Sequence, residues 1–346
     1  MADEDGALTP PEATGLLTLA EASDRLPSPY ALEDFSAASG QPWVAVALGG
    51  ETASGEAVAR LCEALPHFVC PTIAFVPEPE APAARDLAEA FDVVAESRED
   101  LALLVENIER TPLATTALVQ LLRGHEHRTI EQALVAESFV YSTLQAGPEF
   151  AAWLAAQPTL RPVIPEEPPI LVERNGKRLD LVLNHPAKRN AYSAAMRDQL
   201  CEALQLAVTD DSIEEIVLRG DGPSFCSGGD LDEFGLLADP ATAHAIRTTR
   251  SVPRLLAVCA PRLRAELHGA CVGAGIELPA WAGRVVAKQD TFFQLPEVSM
   301  GLIPGAGGTV SLPRRVGRRR TAWIALTGVR VAPDTAKGWG LIDEAC

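Results

Sequence analysis

LHGACVGAGIELPAWAGRVVAKQDTFFQLPEVSMGLIPGAGGT, residues 267–309, carries two glutamates, Glu277 and Glu297, each beside a glycine- or proline-marked bend. Carboxylates are rarely buried among apolar runs without a task. His268 to Val272 reads as a strand, and Gly273-Ala274-Gly275 permits a sharp turn into a short helix beginning near Ile276. The free amides of such a helix start face the same space as the Glu277 side chain, so an anion could sit there. The plainer alternative is a tight packing turn in which Glu277 favours the helix dipole.

Glu297 follows Pro296 after a short apolar strand, Thr291 to Leu295. Gly301, Pro304, Gly305, Gly307 and Gly308 then allow a bent, closely approached loop before the next helix. One carboxylate beside an amide cluster is ordinary. Two converging on it point to acid–base chemistry next to a developing negative charge.

Around this stretch lie 346 residues, 47% of them apolar, enough for two domains with a core in each. A formal charge of −18 argues against a nucleic-acid partner, because phosphate binding needs a basic footprint. Seven cysteines without a CxxC pair indicate neither a disulfide framework nor a structural zinc site. The acidic start MADEDGALTPPEATG has no signal pattern, and no apolar run reaches the length of a membrane span. The expectation is a cytoplasmic protein with no metal.

From Trp43 the chain alternates: WVAVALGG, PTIAFVP and DVVAE read as strands, and GEAVARLCEAL and APAARDLAEAF as helices. GGETASG, 49–55, lacks the GK[ST] ending of a phosphate loop and reads as a plain turn. Ser97 with Asp100 three residues on caps a helix, and helix dominates to about Gln157. His125 and His127, two apart, do not share a helical face and read as a solvated loop. Prolines at 158, 162, 165, 168 and 169 mark a linker. Beyond it Asn175-Gly176 signals a hairpin, and Ser193 caps a helix with Met196, Leu200, Leu204 and Val208 on one stripe. The basic run after Thr309, Arg314 to Arg320, reads as a solvated face.

HGACVGAGIEL, LPEVSMGLIPGAGGT and, upstream, FCSGGDL resemble, in family order, the signature segments of the enoyl-CoA hydratase/isomerase (crotonase) superfamily, over about residues 168–346. The resemblance implies an α/β fold, a crotonase-like ββα superhelix core with an additional N-terminal α/β and helical region. It implies an acyl-CoA thioester substrate, coenzyme A entering as part of it with no separate cofactor, and an enolate intermediate. Matched residue by residue, the Gly229 and Ala274 amides would hold the thioester oxygen; many relatives have glycine at the second position, but a backbone donor survives a methyl group.

Both glutamates of the hydratase pattern are present, with Glu277 expected as base for the water and Glu297 as the acid protonating the α-carbon. For the coenzyme portion the resemblance points to Arg189 near the nucleotide phosphates, to the Ala191 backbone, and to Gly228, Asp230 and Leu231. Pro296 is expected to line the acyl pocket. Exposure for Arg189 and helix capping for Asp230 are the plain alternatives. A Ser227, His268, Asp230 triad lacks the GxSxG elbow that would hold its serine.

Relatives continue past the equivalent of GLIDEA into a helical tail that covers the acyl-CoA and helps assemble trimers or hexamers. Residues 91–160 look like that tail placed ahead of the core. The expected layout is a flexible acidic N-terminus at 1–40, an α/β and helical domain at 41–160 with a permuted tail at 91–160, a proline-rich linker at 161–170 and a catalytic core at 171–346. The expected activity is hydration of a 2-enoyl-CoA. The alternatives are an isomerase or other crotonase-type lyase or hydrolase, and a non-catalytic acyl-CoA-binding protein.

Overall fold

A computed structural model describes residues 15–48, 54–77, 82–158, 167–236 and 239–346. The chain divides into two compact units, Met1–Glu106 and Asn107–Cys346. In the first, β1 (Leu16–Thr18), α1 (Leu19–Arg25) and α2 (Ala31–Asp34) lead into β2 (Val44–Ala47), α3 (Gly55–Ala64), β3 (Thr72–Phe75), α4 (Pro82–Ala88) and β4 (Val93–Ala95). The four strands form one parallel sheet in chain order. Apolar runs such as Val44–Ala47 and Thr72–Phe75 suit a strand covered on both faces.

The expected flexible N-terminus is corrected for residues 15–40, which are folded. Thr18 Oγ1 accepts from the Glu21 amide at 3.2 Å and Glu21 Oε2 from the Thr18 amide at 2.8 Å, a capping box that starts α1. Ala22, Leu26, Ala31 and Phe35 then bury in the core with Val44, Val46 and Phe68. Composition hides this face because its apolar residues are spread thinly among Ala, Pro and acids. Residues 1–14 of that expectation, and 49–53 of the expected turn, lie outside the described residues.

α5 (Arg98–Arg110) starts where expected, with Ser97 Oγ accepting from the Asp100 amide at 3.0 Å. The second unit then contains α6 (Pro112–Arg123), α7 (Ile130–Gln145), α8 (Pro148–Ala155), β5 (Ile170–Asn175), β6 (Arg178–Leu183), α9 (Ala194–Thr209), β7 (Glu215–Gly220), α10 (Pro240–Thr249) and α11 (Val252–Cys259). It continues through β8 (Leu263–Leu267), β9 (Ala270–Val272), α12 (Ala274–Glu277), β10 (Arg284–Ala287), β11 (Phe292–Gln294), α13 (Gly308–Val316), α14 (Arg318–Thr327), α15 (Pro333–Trp339) and β12 (Glu344–Ala345). The division thus falls at Glu106/Asn107 and not at the prolines, because α7 packs on α10, α11 and α13, and α6 on α14. Residues 161–166 of the expected linker lie outside the described residues.

β5 and β6 make the hairpin that Asn175-Gly176 signals, with Gly176 at φ +63° and Asn175 opposite Arg178. The remaining strands join in parallel, giving the order β12-β10-β8-β7-β6-β5. A second, thinner ladder runs beside this sheet: Tyr192 bridges Gly229, Cys226 bridges Cys271, and β9 pairs with β11. Each winding of the chain therefore contributes a strand to the main sheet, a short extended piece to the second ladder, and a helix.

Two smaller expectations are corrected. His125 is buried in a helical turn, its Nδ1 2.9 Å from the Leu122 carbonyl, an oxygen near the end of α6 that also accepts from the Gly124 amide. Arg315 is not part of a solvated face: it donates to the Leu341 and Ala282 carbonyls at 2.6 and 2.9 Å and pairs with Asp343.

Candidate active site

The second ladder brings the two expected backbone donors together. The Cys226 amide donates to the Ala270 carbonyl at 3.1 Å and the Val272 amide to the Cys226 carbonyl at 3.0 Å. A Cβ on Gly275 would lie 2.3 Å from the Cys226 oxygen, and one on Gly273 3.5 Å from the Gly228 Cα. Only glycine fits so close a crossing. One residue beyond it on each strand, Gly229 and Ala274 wall a cavity of about 460 Å³. Neither N–H has an acceptor among the described residues.

Glu277 and Glu297 face the same cavity. Glu277 closes the short helix α12, is 2% exposed, and accepts from the Ala306 and Gly308 amides at 2.7 and 2.9 Å, both on Oε2. Glu297 opens a helical turn after Pro296; its Oε1 lies where a Cβ on Gly273 would come within 2.3 Å, and its buried Oε2 has no hydrogen-bond partner. The carboxyl of Glu297 therefore sits against the start of α12, next to the Ala274 amide.

A third acid joins them that the sequence did not single out. Glu137 on α7 is 3% exposed and accepts from the Gly307 and Thr309 amides at 2.8 and 3.0 Å and from the Thr309 hydroxyl at 2.6 Å. The only signal for it was a lone glutamate within ALVAESFVY, with Tyr141 one turn further on the same helical face.

Burial pushes all three carboxyls up. Glu137 and Glu297 each rise to about 7, and Glu277 well above the usual carboxylate range, its rise due first to burial and then to repulsion from Glu297 and Glu137. Three acids this close cannot all ionise. Repulsion falls hardest on Glu277, although the Ala306 and Gly308 amides favour its ionised form; a backbone amide does the same for Glu297, whose Oε2 has no hydrogen-bond partner. Burial and mutual repulsion therefore keep at least one proton among the three carboxyls.

The other expected residues divide. Asp230 reaches the cavity wall, but its carboxylate is engaged by Lys188 Nζ at 2.8 Å and caps the following turn through the Asp232 amide at 3.2 Å. Gly228 lies behind the wall, its carbonyl accepting from the Tyr192 amide at 2.7 Å. Ala191 is buried behind it as well, and Arg189 and Leu231 are exposed and off the wall. Pro296 is corrected: it borders a separate cavity of about 150 Å³ together with Asn107 and Thr327, because the turn that aims Glu297 inward directs the proline away. The serine triad does not form, since His268 Nε2 contacts the Gly222 carbonyl at 2.9 Å and Ser227 Oγ donates to the Lys188 carbonyl at 3.3 Å.

Residues 175–346 match the family model described as enoyl-CoA hydratase/isomerase. The chain is 37% identical over 177 residues to a 2,3-dehydroadipyl-CoA hydratase of Escherichia coli, covering 51% of this chain and 68% of that protein. It is 34% identical to a mevalonyl-coenzyme A hydratase of Aspergillus fumigatus, with 47% and 61% covered, and 34% identical to a 1,2-epoxyphenylacetyl-CoA isomerase of Escherichia coli, with 47% and 64% covered. The matched region thus spans about two thirds of these relatives' lengths. Among solved structures, an enoyl-CoA hydratase of Mycobacterium smegmatis is 33% identical, with 52% of this chain and 70% of that one covered and a TM-score of 0.48.

Proposed function

The chain belongs to the enoyl-CoA hydratase/isomerase family, and within it we propose that this protein adds water across the double bond of a 2-enoyl-CoA thioester. The observation that carries the proposal is the pairing of Glu277 and Glu297 on one cavity wall with the Gly229 and Ala274 amides. A thioester oxygen between those amides would take up charge as the enolate forms, and one such donor is worth about 3 kcal/mol of barrier. Glu277 takes a proton from water as it attacks the β-carbon; Glu297 gives its proton to the α-carbon.

Coenzyme A enters as part of the substrate in this proposal. Helices α6 to α8 stand in for the tail that follows the core in relatives: α7 supplies Glu137 and Tyr141 to the cavity, and α8 packs on the turn that carries Glu297. A trimeric or hexameric assembly in the cytoplasm belongs to the same proposal.

Isomerisation is the second reading, since a relative bears that name and proton transfer within the substrate needs one carboxyl. Two buried acids on one wall favour hydration. Loss of the conjugated-thioester absorbance with crotonyl-CoA, measured for the protein and for Glu277→Gln and Glu297→Gln, tests it; full rates in both variants would refute the assigned roles.

A further inference from the structure

Away from the acids, the cavity wall sets cations among apolar side chains such as Leu134, Val135 and Phe234. Four arginines line it: Arg197, Arg247, Arg250 and Arg254. Three have acidic neighbours. Arg197 pairs with Asp198 at 2.8 Å, Arg250 with Glu202 at 3.4 Å, and the charge of Arg254 acts on Glu131.

Arg247 on α10 forms no ion pair among the described residues, and every acceptor it touches is neutral; the acid that acts on it through space is Glu137, whose own oxygens accept from Gly307 and Thr309. Its Nε donates to Ser138 Oγ at 3.2 Å, Nη1 to Gln145 Oε1 at 3.1 Å, and Nη2 to the Ser138 carbonyl at 3.4 Å and to Ser142 Oγ. A guanidinium has five N–H groups, so one on Nη1 is uncommitted. The guanidinium carbon lies 4.9 Å from the Tyr141 ring centroid. Burial lowers its pKa, with Tyr141 and Glu137 acting against that shift. The hydroxyls of Tyr141 and Tyr192, both on the cavity wall, also lack a hydrogen-bond partner among the described residues.

We propose that Arg247 receives a carboxylate at the far end of the acyl group, so that the substrate is a CoA thioester of a dicarboxylic acid. The inference rests on the thioester reading of the site. The wall of α7 sets the span: Glu137 stands beside the Glu277 loop, and Arg247 is held by Ser138, Ser142 and Gln145, one to eight residues on, so at most about 12 Å along a helix. Such a distance suits a short diacid chain and not a long fatty one. Tyr141 lies between them and offers its hydroxyl along the way.

The test compares two enoyl-CoA thioesters of equal chain length, one ending in carboxylate and one in methyl. The expected result is a kcat/KM at least about tenfold higher for the charged substrate, a ratio that falls toward one in Arg247→Gln and partly returns in Arg247→Lys. Equal kcat/KM in the unaltered protein overturns the proposal, as does an unchanged ratio in Arg247→Gln. Should neither thioester react, the hydration reading fails. The same ratio is then read from calorimetric dissociation constants of the two saturated thioesters, and equal affinities overturn this proposal separately.

Discussion

Glu137 and Glu277 share one loop by alternation: the amides of Ala306 and Gly308 donate to Glu277, and those of Gly307 and Thr309 to Glu137. Each acid thereby fixes the peptide planes that serve the other. Glu137→Gln replaces one acceptor oxygen with a donor facing an amide, so the loop must shift and Glu277 with it. The expected loss in kcat is on the order of tenfold to a hundredfold. The charge of Glu137 also raises Glu297, so its removal should move the alkaline limb of the pH–rate profile to lower pH. A limb that stays in place would assign Glu137 a purely structural role.

Glu297 is raised to about 7 and must give up a proton, so it is competent below that value and spent above it. Activity should decline as pH rises through about 7. Glu297→Gln and Glu277→Gln should each reduce kcat by about a hundredfold or more with little change in KM, because both act on the transition state. Steady-state kinetics showing the loss in KM alone would contradict those roles.

Gly273 has φ +51°, and a Cβ there would lie 2.3 Å from Glu297 Oε1. Gly273→Ala should displace the acid and nearly abolish turnover, with about 1–3 kcal/mol of lost stability from the strained backbone. Gly176→Ala is the control: φ is +63° but nothing lies within 4 Å of the new methyl. It should lower the melting temperature while leaving kcat/KM in place. Equal kinetic effects from the two would show that strain, not the contact with Glu297, is what matters.

Glu137, raised from 4.5 to about 7 on folding, also makes stability depend on pH. A carboxyl raised by folding stabilises fully below its unfolded value; that contribution is lost as pH climbs toward the folded value. Between 4.5 and about 7 the folded state therefore binds more protons than the unfolded one, and stability falls with rising pH. The melting temperature of the protein relative to Glu137→Gln should drop across that interval in calorimetry. A relative rise would mean that the three donors around Glu137 outweigh its burial.

By itself the sequence determined what short-range chemistry can specify. The Asn175-Gly176 hairpin, the caps at Ser97 and Ser193, the α/β alternation after Trp43 and the glycine crossings beside Glu277 and Glu297 all follow from dihedral freedom and burial pattern within a few residues. The folded N-terminal segment at 15–40 escaped notice because its apolar face is sparse, and Pro296 could not be placed because a turn's direction depends on what it packs against. Glu137 and Arg247 were decided by tertiary structure alone. Glu137 meets Gly307 across 170 positions and Arg247 meets Ser138 across 109, and no local rule tells an acid on a solvated helix from one pressed against amides supplied by a distant loop. Their burial, and with it the charge they can hold, exists only once α7 is packed on α10 and α13.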